Sequence, residues 1–301
     1  RHRPTCHVWR TLTYLMHSRS VLVVIAALSS ACAAGSSGED RISGPPGGIS
    51  VGGGGDMVGG VTGGMPASCG TKLQVTYRDF NQMHPDFERA FPGDVVRRQL
   101  VQPQLGSDSK PMFGSSIGCP AKTSSPLECD NWTVSIPVIT SADTFAEWYR
   151  TSDVNIEIPK SLELTETPPG SGLYGYDSSA FFPLSPSEGF GVTPPNNSLG
   201  QNFLFTTEIH VRFGYAAGQK FTFRGDDDLW VFVNGKLALD LGSTHSAAEG
   251  TIDFDAQASA LGIFPGNTYN MDIFHAERHT DSSNFKVTTN ISCFVPGANV
   301  N

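Results

Sequence analysis

Charge is scarce in this 301-residue chain: only 16% of its residues are Asp, Glu, Lys or Arg, and the formal balance is −9. With no basic surface to neutralise phosphates, it is not built for nucleic acid. Long amphipathic helices are missing. No two cysteines are spaced CxxC, and no histidine stands at zinc-finger distance from one, which argues against a structural zinc site. The P-loop is also missing. Glycosidases need two carboxylates facing each other across a sugar, and no spacing among the 29 acidic residues singles out such a pair. The chain therefore reads as a binding or structural module and not as an enzyme.

What is plentiful is glycine (33), proline (20) and phenylalanine (19), a composition that favours many short strands joined by tight turns. One domain of roughly 200 to 235 residues accommodates the part able to form a core. Ahead of it, the short apolar run Val21 to Leu28 follows His17 and Arg19 and leads into small residues ending at Ala31-Cys32. This is the layout of a secretory signal, too short to span a bilayer as a mature helix. Met16 is the expected start, with residues 1–15 an upstream extension. Cys32 is the lipidation candidate of a bacterial lipoprotein signal, although Ser29 holds the position three before it and Leu28 falls one place early; lipid anchoring and simple secretion both stay open. Either route places the domain outside the cell or at its surface, with an outer-membrane lipoprotein as one form and the lipid anchor as its sole link to a membrane. Residues 33–68 are Gly- and Ser-rich and are expected to be a flexible tether. The domain is set at 69–295, with 296–301 as a tail.

Within the domain, Leu73, Val75 and Tyr77 alternate as one face of a first strand, Asn81 to Gln104 is a helix or irregular-turn candidate, and Thr144 to Thr151 is another short helical piece. Thr165 to Pro195, rich in Pro, Gly and Ser, reads as a loop or excursion. From Asn202 onward the pattern is strands throughout. Phe203 and Phe205, then Ile209, Val211 and Phe213, then Phe221 and Phe223 show the period of two. Leu229 to Val233 is apolar on both faces, as in a central strand. Asn234-Gly235 follows, the strongest hairpin signal in the chain, because it suits a type I′ turn. Further strands are expected at Thr251 to Phe254, Thr268 to Ala276 and Asn284 to Phe294. Cys69, Cys119, Cys129 and Cys293 make two disulfides in an exported chain, and three connectivities are open. Cys119 with Cys129 and Cys69 with Cys293 is the favoured one, a short closure plus a staple between the domain's ends.

Several runs together carry a resemblance: Thr76-Tyr77-Arg78-Asp79-Phe80 with His84-Pro85-Asp86-Phe87-Glu88; Asn202 to His210; Phe221-Thr222-Phe223-Arg224-Gly225-Asp226-Asp227-Asp228 with Leu229 to Gly235; and Phe274-His275-Ala276-Glu277-Arg278-His279-Thr280 with Ser283-Asn284-Phe285. The stretch 72–294 resembles fibro-slime domains, found in slime-mould and bacterial surface proteins and a branch of the protective-antigen-type β-sandwich. The resemblance implies an all-β, antiparallel, jelly-roll-type sandwich with long loops and one or two short helices. It also implies glycan or matrix binding through Ca²⁺ held by neighbouring aspartates with a cis bond between them; Asp226-Asp227 is the matching pair.

The residues themselves are compatible with that. Ca²⁺ takes six to eight oxygen ligands, and Asp226, Asp227 and Asp228 put three carboxylates at the mouth of a central strand. The other reading is a turn capped by Asp226 and Asp228 through backbone amides. Asn234 is a further candidate metal ligand, with Asp240 and His245 within possible reach of the same sheet end. Asp226, Asp227, His245 and the ring of Trp230 are the candidate ligand-binding groups, although the place of Trp230 inside an apolar strand favours the core over a ligand face. His275, Glu277 and His279 alternate on one strand; they read either as a transition-metal set or as an Arg278–Glu277 ion pair with His279 hydrogen-bonded at a strand end. Arg78 and Asp79 read as a structural pair. The function expected is Ca²⁺-dependent carbohydrate binding or adhesion, with a metal-free protein-binding matrix module as the rival.

Overall fold

The computed structural model describes residues 69–89, 93–122, 124–280 and 282–297. The signal with Cys32, the tether and the last residues of the tail lie outside the described residues, and so do the expectations attached to them. In chain order the elements are β1 (Lys72–Phe80), β2 (Arg97–Arg98), β3 (Val101–Leu105), β4 (Pro111–Phe113), β5 (Cys119–Pro120), α1 (Ala142–Ala146), β6 (Asn155–Glu163), β7 (Thr165–Glu166), β8 (Tyr174–Ser178), β9 (Phe205–Gly214), β10 (Lys220–Gly225), β11 (Asp228–Val233), β12 (Lys236–Leu241), β13 (Ala248–Asp253), α2 (Phe254–Leu261), β14 (Thr268–Glu277), β15 (Phe285–Thr289) and β16 (Phe294–Pro296). The fold is all-β and antiparallel, a sandwich of one large and one small sheet.

The large sheet runs β4-β3-β12-β11-β14-β9-β1-β6, with β16 sharing the β9 flank beyond the end of β1. The small sheet runs β13-β10-β15-β8-β7, and β2 pairs with β5 apart from both. Alternation decides which side chains enter the interface. Leu229, Val231 and Val233 of β11, Ile209, Val211 and Phe213 of β9, Phe221 and Phe223 of β10, and Phe285 and Val287 of β15 fill one apolar layer. The other face of β11 is also covered, as its unbroken apolar run requires. Trp230, Phe232 and Phe274 meet Phe80 at the end of β1 and Phe87, Phe145, Trp148 and Tyr149 from the segment between β1 and β6. Asn234 (φ 53°) and Gly235 (φ 71°) turn β11 into β12 with the positive angles a type I′ hairpin needs.

The disulfides are Cys69–Cys293 and Cys119–Cys129, with Cα separations of 5.1 and 5.7 Å, inside the range a bridge tolerates. The first lies beside the Gly70–Phe294 bridge and ties the two ends of the domain together.

Two expectations are corrected. Of the two readings of Asn81–Gln104, helix or irregular turn, the described residues show the second: the chain turns through Asn81 to Glu88 and later supplies β2 and β3. Glu88 and Gln99 take positive φ (53° and 64°), and Pro85 and Pro103 are poor helix-interior residues. The strand expected to reach Phe254 ends at Asp253, whose carboxylate caps α2 by accepting from Ala256 N, while Gly262 closes that helix at φ 71°. Asp253 and Gly262 were the legible signals. Within Thr165–Pro195, β7 and β8 complete the small sheet.

On the outer face of the large sheet a chain of charges fixes the β3–β4 hairpin. Glu208 of β9 accepts from Arg78, from Lys110 at the hairpin tip and from His210 Nε2, and His210 Nδ1 lies 2.7 Å from Asp272. Arg78 also reaches Glu157 at 3.0 Å. Arg78 thus pairs across strands and not with Asp79, which accepts from Asn202 Nδ2 and Phe190 N. Burial opposes the charge on His210, but the bonds to Asp272 and Glu208 outweigh it and raise its pKa to about 9. A histidine raised on folding adds stability that is fully present below its unfolded pKa of about 6.5 and is lost as pH rises through about 9. The melting temperature of His210→Gln should therefore fall below that of the parent by several degrees at pH 6, as about 1 kcal/mol moves Tm by roughly 2–4 °C at this size. The gap should close by about pH 10, and calorimetric scans across that range check it.

Candidate functional site: an acidic loop beneath an open cavity

The acidic triplet forms the crossing from β10 of the small sheet to β11 of the large one. Gly225 ends β10 where a Cβ would sit 2.5 Å from the Asn284 carbonyl oxygen and 2.7 Å from the Phe223 ring, so no side chain fits there. That close approach lets Asn284 bind the next residue. Asp226 Oδ1 accepts from Asn284 N at 2.6 Å, and its Oδ2 from Asn284 Nδ2 at 2.6 Å and Ser282 Oγ at 2.8 Å. Asp227 then takes φ 56°, and its Oδ2 accepts from the backbone N–H of Arg278 (2.8 Å) and His279 (3.0 Å). Asp228, on the face of β11 that carries Trp230, accepts from Ser243 N (2.6 Å) and Arg278 Nε (2.7 Å).

The kink is thus made by the left-handed backbone of Asp227. The expected cis bond is not there: among the described residues the cis bonds are Thr167-Pro168 and Thr193-Pro194. Arg278 pairs with Asp228 and not with Glu277. It is fully buried; its Nη1 donates to the Asp86 and Val138 carbonyls, and its guanidinium lies 4.7 Å from the Trp148 ring centre.

Glu277 is the residue that sequence reasoning placed wrongly. It is fully buried, and neither carboxylate oxygen has a hydrogen-bond donor. Its neighbour Ser283 spends its hydroxyl proton on the Phe181 carbonyl. Burial, then the charges of Asp227 and Asp226, hold the Glu277 carboxyl well above the usual carboxylate range. Burial pushes Asp227 up to about 7 against the opposing pull of Arg278. Asp226, Asp227, Asp228 and Glu277 are four buried carboxylates, and Arg278, the one guanidinium among them, is committed to Asp228. Such a surplus is costly unless a proton or a cation joins it.

His275 and His279 do not join Glu277 as a metal set. His275 packs in the core against the rings of Phe181, Phe205, Phe223 and Phe285, where burial lowers its pKa to about 4. His279 lies past the end of β14, with Nδ1 2.9 Å from the Thr280 carbonyl. Above the acidic loop opens a cavity of about 380 Å³ lined by Asp94, Asp226, Asp227, His245, Ser246, His279, Thr280 and Ser282. The structure thus brings Asp226, Asp227 and His245 together. His245 is buried, and its ring nitrogens face the Ser246 and Leu241 carbonyls. Asn234 lies at the far end of β11, six residues or roughly 20 Å away, where it donates to Leu261 O. Trp230 is fully buried and donates to Asp240 Oδ1 at 2.9 Å, so its ring offers no face to a ligand. Asp240 is occupied there and by Gln99 N. Asp94, on the cavity rim, binds Ser246 N and Oγ.

Comparison with known proteins bears on the whole of this region. The chain is similar to the psi proteins of Dictyostelium discoideum. It is 36% identical to protein psiD over 225 residues, 73% of this chain and 41% of that protein. It is 34% identical to protein psiN over 235 residues, 73% of this chain and 30% of that one. The chain thus spans less than half the length of these relatives. No family model matches it. A segment of the GH31 alpha-xylosidase Xac1773 from Xanthomonas citri aligns with 48% of the chain and 16% of that enzyme at 11% identity, with a TM-score of 0.26, too low to bear on the fold.

Because Arg278 neutralises Asp228 and satisfies two buried carbonyls, Arg278→Met should leave a buried carboxylate unpaired and cost about 3–5 kcal/mol. Urea unfolding of the variant beside its parent measures that loss.

Proposed function

We propose that the domain is a recognition module of the cell surface or extracellular space, which takes up Ca²⁺ at Asp226, Asp227 and Glu277 and binds carbohydrate hydroxyls in the cavity above. One observation carries the reading: a buried surplus of carboxylates, with both Glu277 oxygens lacking donors, directly beneath an open polar cavity. All-oxygen donors suit a hard cation such as Ca²⁺ and not a thiolate- or imidazole-seeking metal. Among the described residues no three His, Cys, Asp or Glu side chains stand as a ready-made cage. The cation would therefore replace the proton that the Asp227–Glu277 pair otherwise needs. Bound there, calcium would offer open coordination positions to vicinal hydroxyls. The resemblance to fibro-slime domains and the disulfide pairs, which belong to an oxidising compartment, support the same reading.

Calorimetric titration of Ca²⁺ into the chelator-treated chain, beside Glu277→Gln and the Asp226→Asn, Asp227→Asn double variant, tests it. Saturable uptake in the parent, weakened at least about tenfold (about 1.4 kcal/mol) in the variants, is the expected outcome. A folded parent that takes up no calcium sinks the cation reading and leaves a proton-sharing carboxyl pair in a metal-free matrix module.

A further inference from the structure

We infer that the outer face of the small sheet is a second, calcium-independent binding surface for an uncharged, extended polysaccharide. The strand registers place side chains of the same face in rows that cross the sheet. One row runs Thr251, Thr222, Thr288, Gly175 and Thr165 over β13, β10, β15, β8 and β7. The adjoining row runs Glu249, Arg224, Lys286 and Asp177. Phe221, Phe223, Phe285 and Val287 alternate with these residues and point into the core, so the threonine row faces outward.

The threonine row is flat because its side chains are short, and it is broken at one place by the glycine. A Cβ on Gly175 would sit 2.7 Å from the Val287 carbonyl oxygen, so the strand admits only glycine there. The missing side chain opens a trough of about 440 Å³ lined by Thr165, Thr167, Gly175, Asp177, Lys286 and Thr288 among others. Leu173, 44% exposed, gives that trough an apolar wall.

Charge selects the occupant. The chain carries −9 overall, yet this face pairs three cations with three anions, and the further anion Glu163 at the trough accepts from Thr71 Oγ1. Lys286 Nζ lies 2.6 Å from Asp177, Lys220 Nζ lies 2.8 Å from Asp253, and Arg224 stands opposite Glu249. A face neutralised in pairs on an acidic domain neither attracts a polyanion nor repels a neutral chain. The Thr222 and Thr251 hydroxyls already bond each other at 2.8 Å, so the row presents donors and acceptors in register. Neighbouring strands are about 4.8 Å apart, close to the length of one sugar unit in an extended β-1,4-linked chain. Five strands therefore present a track roughly 19 Å long, enough for several sugars.

The test is co-sedimentation of the full chain with amorphous cellulose and with chitin, in EDTA and in CaCl₂. Equal retention on at least one of them in both buffers is expected. The double variant Thr222→Glu, Thr288→Glu, which forces unpaired charge under a neutral ligand, should lose roughly tenfold or more of that binding. Thr165→Glu, at the exposed end of the row, gives the same readout should the double variant fail to melt as a folded protein. Absence of parental binding to both polymers, or full retention by a folded glutamate variant, overturns the inference. Loss of binding in EDTA overturns it as well, by assigning the ligand to the acidic loop. Failure of calcium uptake leaves this surface untouched, so the two readings fail separately.

Discussion

A single buried guanidinium organises the end of the sandwich that holds the acidic loop. Arg278 closes β14, neutralises Asp228 on β11 and bonds the carbonyls of Asp86 and Val138 in the segment that covers the large sheet. Its own N–H, with that of His279, holds Asp227. Withdrawing this charge from water is expensive, and one carboxylate does not repay it without the additional acceptors and the face of Trp148. With Asp228 fixed on the Trp230 face, the chain reaches β10 only by reversing at Asp227, which accounts for the left-handed backbone there. The surplus of carboxylates follows from this arrangement, because the available cation is already spent.

The covering segment depends on the same contact. Between β1 and β6 it forms little regular structure, yet Phe87, Phe145, Trp148 and Tyr149 bury the second face of the large sheet. Asp86 stabilises it from within: Oδ1 accepts from Thr140 N at 2.6 Å and Oδ2 from Trp148 Nε1 at 3.1 Å. A large sheet with two apolar faces needs such a layer, and apolar contact alone does not fix its position. The polar bonds of Asp86 and Arg278 give it one register against the sheet.

What was legible in the sequence was local. The Asn234-Gly235 hairpin, the two-faced β11 and the alternation of β9 and β10 follow from turn chemistry and a period of two. The favoured cysteine pairing is also the one formed. What was not legible depends on distant partners. Glu277 alternates with His275 and so reads as its companion, but its meaning comes from Asp226 and Asp227, about 50 positions earlier. Arg278 reads as the partner of its neighbour Glu277, whereas adjacent strand residues point to opposite faces, which sends it to Asp228. Asn234 reads as a ligand only when the six-residue length of β11, which separates it from the acidic end, is overlooked. For Trp230 the apolar strand favours the core, but the covering segment that buries it lies up to about 145 positions away.

The two proposed surfaces share a scaffold. β10 carries Thr222 and Arg224 outward, Phe221 and Phe223 inward, and delivers Gly225 to the acidic crossing. Its neighbour β15 carries Lys286 and Thr288 outward and is preceded by Asn284, which makes three bonds together with Ser282 to Asp226. Both surfaces are therefore held by one antiparallel pair whose inner side chains lie in the core. A rigid strand pair places sites more accurately than a loop does, and the pleat separates their chemistry. Polar residues on the outward face leave the core intact, and the residues at the strand ends face the cavity. Such a pair can carry two independent recognition surfaces because substitution on the outer row need not disturb Phe221, Phe223 or Gly225, the residues that hold the acidic loop in place.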